Sequence, residues 1–265
     1  MTESAPGSRA GAPAPSARRI DILGVGFDPV DLDGAVARVA SLVADGAPAL
    51  AVTANTEIVM TARRAADLAA VLAGAALVVA DGVGVVWASR YLGRPLPARV
   101  PGIELAERLL AEAARRRWAV YLLGGRPGTA EQAAARLRER YPGLWIVGCG
   151  HGYFGREQEA RVVETIRTTG PALLLAGLGM PRQERWLARH LPALGVPVAM
   201  GIGGSLDVWA GHAHRAPRAM QTLGLEWLYR LAREPRRLGR QLSIPHFMAL
   251  TVAQRARGAS GGRRR

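Results

Sequence analysis

The sequence predicts an α/β protein, a parallel sheet wound with helices on both faces and followed by a C-terminal helical appendage. Three observations carry this. Apolar runs of four to six residues recur between segments whose apolar positions fall at helical spacing, which is strand-then-helix alternation. The runs are joined by helical crossovers, and crossovers make neighbouring strands parallel. From Ala219 onward the pattern changes, with arginines standing beside Trp, Tyr, Phe and Met.

The first 18 residues are rich in Pro, Ala, Gly and Ser and read as a disordered leader. The core is expected over residues 19–215, opening with a short strand at Arg19–Leu23. Asp31 and Asp33 follow Pro29 and open an amphipathic helix, so the D-x-D they form reads as a helix cap and not as a metal pair. The next strand, Ala49–Val52, breaks into Thr53-Ala54-Asn55-Thr56-Glu57. One alanine-rich helix is expected from Ile58 to about Leu72, then a strand at Ala76–Ala80 ending in Asp81-Gly82. A helix over Gly82–Leu92, a proline-rich loop holding Arg94 and Arg99, and a helix from Ile103 to Arg116 come next. Strands at Trp118–Leu123, Trp145–Cys149, Ala172–Ala176 and Pro197–Gly201 then alternate with helices. Residues 216–254 are expected as the helical appendage and 255–265 as a disordered basic tail.

Composition narrows the function. The charge is +14, and all 35 basic residues are arginine. Residues 212–265 hold twelve arginines against Glu226 and Glu234, an excess of ten, so an anionic partner is expected at the C-terminal end. The single cysteine, Cys149, excludes an internal disulfide framework and a Cys-rich zinc site. The N-terminus has no apolar core of a secretory signal, and no run reaches the ~18 apolar residues of a spanning helix. The expected location is the cytoplasm, peripheral on the inner face of the cell membrane.

In a parallel sheet the carboxyl ends of the strands share one edge, where ligands bind. Thr53, Asn55 and Asp81 are therefore expected to meet there, although Thr, Asn and Asp are also ordinary caps and turns. Gly124 and Gly125, between a strand and a helix, would let backbone approach phosphate oxygens. Gln183 and Glu184 fall in the first turn of a helix at the same edge. A dinucleotide fingerprint is poorly matched, because Gly82-Val83-Gly84-Val85-Val86-Trp87 places Trp where a small residue is needed. His212-Ala213-His214 reads as a surface pair, and no nucleic-acid motif accompanies the basic tail. A nucleic-acid binder and a nucleotide-dependent oxidoreductase remain the competing classes.

Several stretches taken together resemble one family. They are Thr53–Glu57, Ala80–Gly84, Arg99–Gly102, Gly124–Gly128, Gly177–Glu184, and Gly224–Leu231 with Glu234-Pro235-Arg236. In this order, over about residues 20–245, they are similar to the WecG/TagA/CpsF glycosyltransferases. Glu104 stands where Asp is expected, and Met180 where a small polar residue is frequent. The resemblance implies a Rossmann-like core without the usual metal motif, and an appendage that closes over the site and touches the membrane. It further implies inverting transfer of N-acetylmannosamine or a related hexose or uronic acid from a UDP-sugar to a polyprenyl-diphosphate-linked N-acetylglucosamine. No cofactor or metal and no nucleic acid are expected, and self-association stays open. Such a transfer needs a base for the acceptor hydroxyl and positive charge for the departing diphosphate. Asp81 is the expected base, Thr53 and Asn55 orient acceptor or sugar, and Gln183 donates to the donor sugar. Arg99, Arg230, Arg237 and Arg240 would neutralise the leaving UDP. Tyr153 and Asp207 are assigned to nucleobase or ribose, and Gly124, Gly125 and Glu184 to substrate binding.

Overall fold

A computed structural model describes residues 19–217, 220 and 243–261. The chain begins with an antiparallel hairpin, β1 (Ile20–Ile22) and β2 (Val25–Phe27), where a single strand was expected. Leu23 and Gly24 turn it with φ of 53° and 89°, the paired positive values that match the twist of a two-residue hairpin. Three-residue strands are too short to show a period, which is why the second was not visible in the sequence.

After α1 (Leu32–Asp45) come β3 (Ala49–Ala54), α2 (Thr56–Ala62), α3 (Ala66–Gly74), β4 (Leu77–Ala80), α4 (Val83–Tyr91) and α5 (Gly102–Arg116). The second half runs β5 (Ala119–Gly124), α6 (Thr129–Arg140), β6 (Trp145–Gly150), α7 (Arg156–Thr169), β7 (Leu173–Gly177), α8 (Arg182–Leu194), β8 (Val198–Gly201) and α9 (Ser205–Trp209). The expected D-x-D cap is present: the Asp31 carboxylate accepts from Gly34 N–H at 2.8 Å at the start of α1. The helix expected from Ile58 to Leu72 is two helices. It breaks at extended Ala65, so that Ile58, Val59, Met60 and Ala62 of α2 turn inward separately from Leu68 and Leu72 of α3.

β3 to β8 form one six-stranded sheet in the order β4-β3-β8-β7-β5-β6, with every pairing parallel. Alternate strand residues feed two cores. Leu50, Val52, Val78, Tyr121, Leu123, Leu174 and Ala199 face one side, packed by α2, α3, α4 and α8. Ala51, Leu77, Val79, Val120, Leu122, Leu175 and Met200 face the other, packed by α1, α5, α6 and α9. Burial on both faces explains why the strands read as continuous apolar runs. At the β4 edge, Asp28 does the work of a neighbouring strand: its N–H donates to Val78 C=O at 2.8 Å and its carboxylate accepts from Val78 N–H at 2.7 Å. Arg19 pairs with the same carboxylate at 3.1 Å.

The last described element, α10 (Ser243–Gly261), lies against α2 and α4 and buries Phe247 and Thr251 completely. It is tied to the hairpin, since Gln254 accepts from Leu23 N–H at 3.0 Å and donates to Asp21 at 2.9 Å. The tail expected to be disordered from residue 255 instead continues this helix to Gly261, and the Arg255 guanidinium stands 4.7 Å over the Tyr91 ring. The expected leader lies outside the described residues. No helix among the described residues is long and apolar enough to cross a membrane.

Candidate active site

The carboxyl ends of β4, β3 and β8 carry the first cluster. Asn55 follows β3 and caps α2, its side-chain oxygen accepting from Ile58 N–H at 3.0 Å. That use leaves the Asn55 amide N–H groups as its means of meeting a ligand. Asp81 follows β4, and its own N–H extends the ladder to Ala54 C=O at 3.0 Å. Val100 N–H donates to Ala80 C=O at 2.8 Å, which pins half-buried Arg99 beside the end of β4 and sets the entry of α5.

Gly102, the first residue of α5, brings Thr53 and Asp81 together. A Cβ at Gly102 would stand 2.7 Å from Thr53 Oγ1 and 3.2 Å from Asp81 Oδ2. Both side chains therefore press on the same bare Cα, at a helix N-terminus, where negative charge is favoured. Asn55 joins them, its Cβ lying 3.5 Å from where a Gly82 Cβ would be. Thr53 and Asp81 thus come to one point and Asn55 stands beside the neighbouring Gly82, while Gly102, which closes the Arg99–Gly102 stretch, was given no role of its own. Its signal was the glycine directly after a proline at a helix start, which reads as a loop residue until the opposing strand ends are known.

Gln183 adds the third strand. It sits in the first turn of α8, is 6% exposed, and lies flat over Gly201, whose Cβ would come 2.6 Å from Gln183 Nε2. Pairing of Ala51 with Met200 places Gly201 beside Val52, so Gln183 lies over the strand next to β3, level with a residue two short of the end of β3 at Ala54. Its oxygen accepts from Gly203 N–H at 3.1 Å, and its Nε2 donates to Glu184 at 2.7 Å. Glu184 is 3% exposed, and burial pushes its carboxyl above the usual carboxylate range despite the Gln183 hydrogen bond.

The second cluster lies farther along the same edge. Gly124 has φ of 139°, and a Cβ there would strike Gly177 O at 2.4 Å, so no larger residue fits between β5 and β7. Gly125 C=O accepts from Gly152 N–H at 2.8 Å. Arg182 then clamps the loop carrying Tyr153, donating to Gly152 C=O at 2.9 Å and Phe154 C=O at 3.1 Å while its guanidinium stacks over the Phe154 ring. Tyr153 itself is 66% exposed at the rim. Asp207 is half-buried in α9, its carbonyl accepting from His212 and Ala213 N–H. His212 bonds Gln132 at 2.9 Å on the surface. Glu104 accepts from Arg215 at 2.9 Å. Arg230, Arg237 and Arg240 lie outside the described residues. Arg182 was the other residue missed, because an arginine at the start of a helix gives no hint that its partners are carbonyls of a distant loop.

Residues 20–261 match the model of the glycosyl transferase WecG/TagA/CpsF family. The chain belongs to this family. Its relatives include the N-acetylglucosaminyldiphosphoundecaprenol N-acetyl-beta-D-mannosaminyltransferases of Staphylococcus aureus strains MW2 and NCTC 8325. Each is 39% identical over 232 residues, covering 87% of this chain and 91% of the relative. A WecG/TagA/CpsF member is a glycosyltransferase, which decides among the three classes the sequence had left open. In this family member, Asp81, Thr53, Asn55 and Gln183 stand at three adjacent strands, β4, β3 and β8, while the glycine-lined loops form a second station two strands away.

Proposed function

We propose that the chain moves N-acetylmannosamine, or a related hexose or uronic acid, from a UDP-sugar to a polyprenyl-diphosphate-linked N-acetylglucosamine, with inversion and without a metal. Cell-surface polysaccharide or teichoic acid linkage-unit synthesis would use the product. The relatives' names support the acceptor and the sugar. The observation that carries the mechanism is the approach of Asp81 Oδ2 and Thr53 Oγ1 to one point at the N-terminus of α5.

Asp81 takes the proton of the acceptor hydroxyl as its oxygen attacks the anomeric carbon. The new C–O bond forms on the face opposite UDP, the bond to the β-phosphate oxygen breaks, and the electron pair leaves with UDP. Thr53 and the Asn55 amide hold the acceptor or sugar, and Gln183 donates to the sugar. Arg99, with Arg230, Arg237 and Arg240 from the appendage, balances the charge that grows on the diphosphate. Backbone at Gly124 and Gly125 approaches phosphate, and Tyr153 and Asp207 face the nucleoside. The enzyme would work on the inner face of the membrane, held to anionic lipid by its C-terminal arginines.

The deciding experiment is a panel of UDP-sugars against a lipid-diphosphate-linked N-acetylglucosamine, with the linkage of the product determined. Transfer from a UDP-hexosamine with an inverted anomeric centre, unchanged in EDTA, is the expected result. A retained configuration, or turnover that EDTA stops and Mg²⁺ restores, refutes the mechanism.

A further inference from the structure

Glu184 is a buried acid that the transfer step does not use. Its Oε1 accepts from Gln183 Nε2 at 2.7 Å, and its Oε2 is enclosed with no hydrogen-bond partner among the described residues. At 3% exposure its carboxylate is enclosed. A carboxyl group held in this way costs stability, since burial disfavours its charge and one oxygen gains nothing in return. The compensation lies in what it does to its neighbour.

The Gln183 amide has one oxygen and two N–H groups. Gly203 N–H can only donate, so it takes the oxygen. Glu184 Oε1 takes one N–H. These two contacts leave the amide a single orientation and a single remaining N–H, seated over the bare Cα of Gly201 at the end of β8. We infer that Glu184 is a positioning residue, which locks the Gln183 amide so that its second N–H is presented to an acceptor oxygen of the bound sugar. Without Glu184 the nitrogen has nothing to hold it over β8, and the amide can turn away from the ligand. The inference rests on the proposed transfer only for the identity of that ligand; the lock itself is a property of the free protein.

The test uses the full chain with Gln183→Leu, Glu184→Leu, Glu184→Gln and the double variant Gln183→Leu/Glu184→Leu. In a ¹⁵N-labelled sample, the Gln183 side-chain signals are the pair that Gln183→Leu lacks. One of its two protons should exchange slowly in the parent and in Glu184→Gln, which keeps an acceptor oxygen. In Glu184→Leu that exchange should rise about tenfold or more, the loss of one buried hydrogen bond. Equal protection in Glu184→Leu overturns the lock, and should that variant not fold, loss of protection in Glu184→Gln does so. In turnover, Glu184→Leu should lower kcat/KM about tenfold and Glu184→Gln should recover most of it. In the Gln183→Leu background, Glu184→Leu should cost less than about twofold more. Additive losses would make Glu184 a packing residue and overturn the inference. A parent silent toward every UDP-sugar would count against the transfer reaction alone, because amide protection is measured without substrate.

Discussion

Replacing Gly102 by alanine should damage catalysis far more than folding. The added Cβ would sit 2.7 Å from Thr53 Oγ1, 3.2 Å from Asp81 Oδ2 and 3.4 Å from Thr53 Cβ. Rotating Thr53 relieves the contact only by carrying its hydroxyl away from Asp81 or by turning its methyl onto the new Cβ, and either outcome disturbs the cluster. If Thr53 stays in place, the N-terminus of α5 must move back by about 0.3–0.6 Å to bring that contact even to the tight end of what Cβ atoms tolerate. A displacement of ~1 Å in a reacting constellation costs about 100-fold, so this shift predicts a fall in kcat of about four- to fifteenfold. Stability should change little. Overpacking costs about 1–3 kcal/mol, and the Gly-to-Ala gain in the unfolded chain returns about 0.4–1 kcal/mol. At ~2–4 °C per kcal/mol, the melting temperature should drop by no more than about 10 °C. The assay is steady-state turnover on a soluble lipid-diphosphate acceptor, beside a thermal melt and a UDP titration. UDP affinity within about twofold of the parent would assign the loss to the chemical step. A kcat within about twofold of the parent, with an unchanged melt, would show that α5 does not set the distance between Thr53 and Asp81.

Four further outcomes follow from the same structure. Asp81→Asn should lower kcat by ~10²–10⁴-fold while UDP still binds, and a rate above half the parent's removes Asp81 from the base role. Phe247→Ala should cost about 3–5 kcal/mol in a denaturant titration, because Phe247 is fully buried between α10, α2 and α4; a loss under about 1 kcal/mol would show that α10 does not belong to the folded core. Cys149, pushed up to about 11 by burial, should resist iodoacetamide in the folded protein near neutral pH and react once unfolded, as followed by intact mass. Glu184 has a folded value above its ordinary 4.5, so its favourable contribution is complete below that value and is lost as pH rises through the folded one. The melting temperature of Glu184→Gln relative to the parent should accordingly climb between about pH 4 and pH 8, and a flat difference would contradict the burial argument.

What could be read from the chain and what could not have separate physical causes. The strands buried on both faces were visible because they are unbroken apolar runs, and their polar ends placed Thr53, Asn55 and Asp81 on one edge. The cap at Asp31 was visible because its chemistry is local. The hairpin at Leu23-Gly24 was hidden by strands too short for a period, and the break at Ala65 by alanines that tolerate either conformation. Gly102, Gly201 and Arg182 matter through what lies opposite them in space, a property that spacing along the chain does not encode. Glu184 was misleading in a further way. As an acid in the first turn of a helix at the ligand edge it was assigned to substrate binding, and its carboxylate is enclosed and turned to Gln183.

Asp28 also bears on how two copies of this protein could meet. An open edge strand is a template on which another chain can build. On β4 the outward N–H and C=O of Val78 are both taken by Asp28, and the C=O of Ala80 is taken by Val100 N–H. A second chain arriving at that edge would have to displace an ion-paired aspartate and the loop that carries Arg99 before it formed its first hydrogen bonds. Growth of the sheet from one molecule into the next is blocked on the side where Thr53, Asn55 and Asp81 stand. At that edge a second copy finds both backbone groups of Val78 and the C=O of Ala80 already paired.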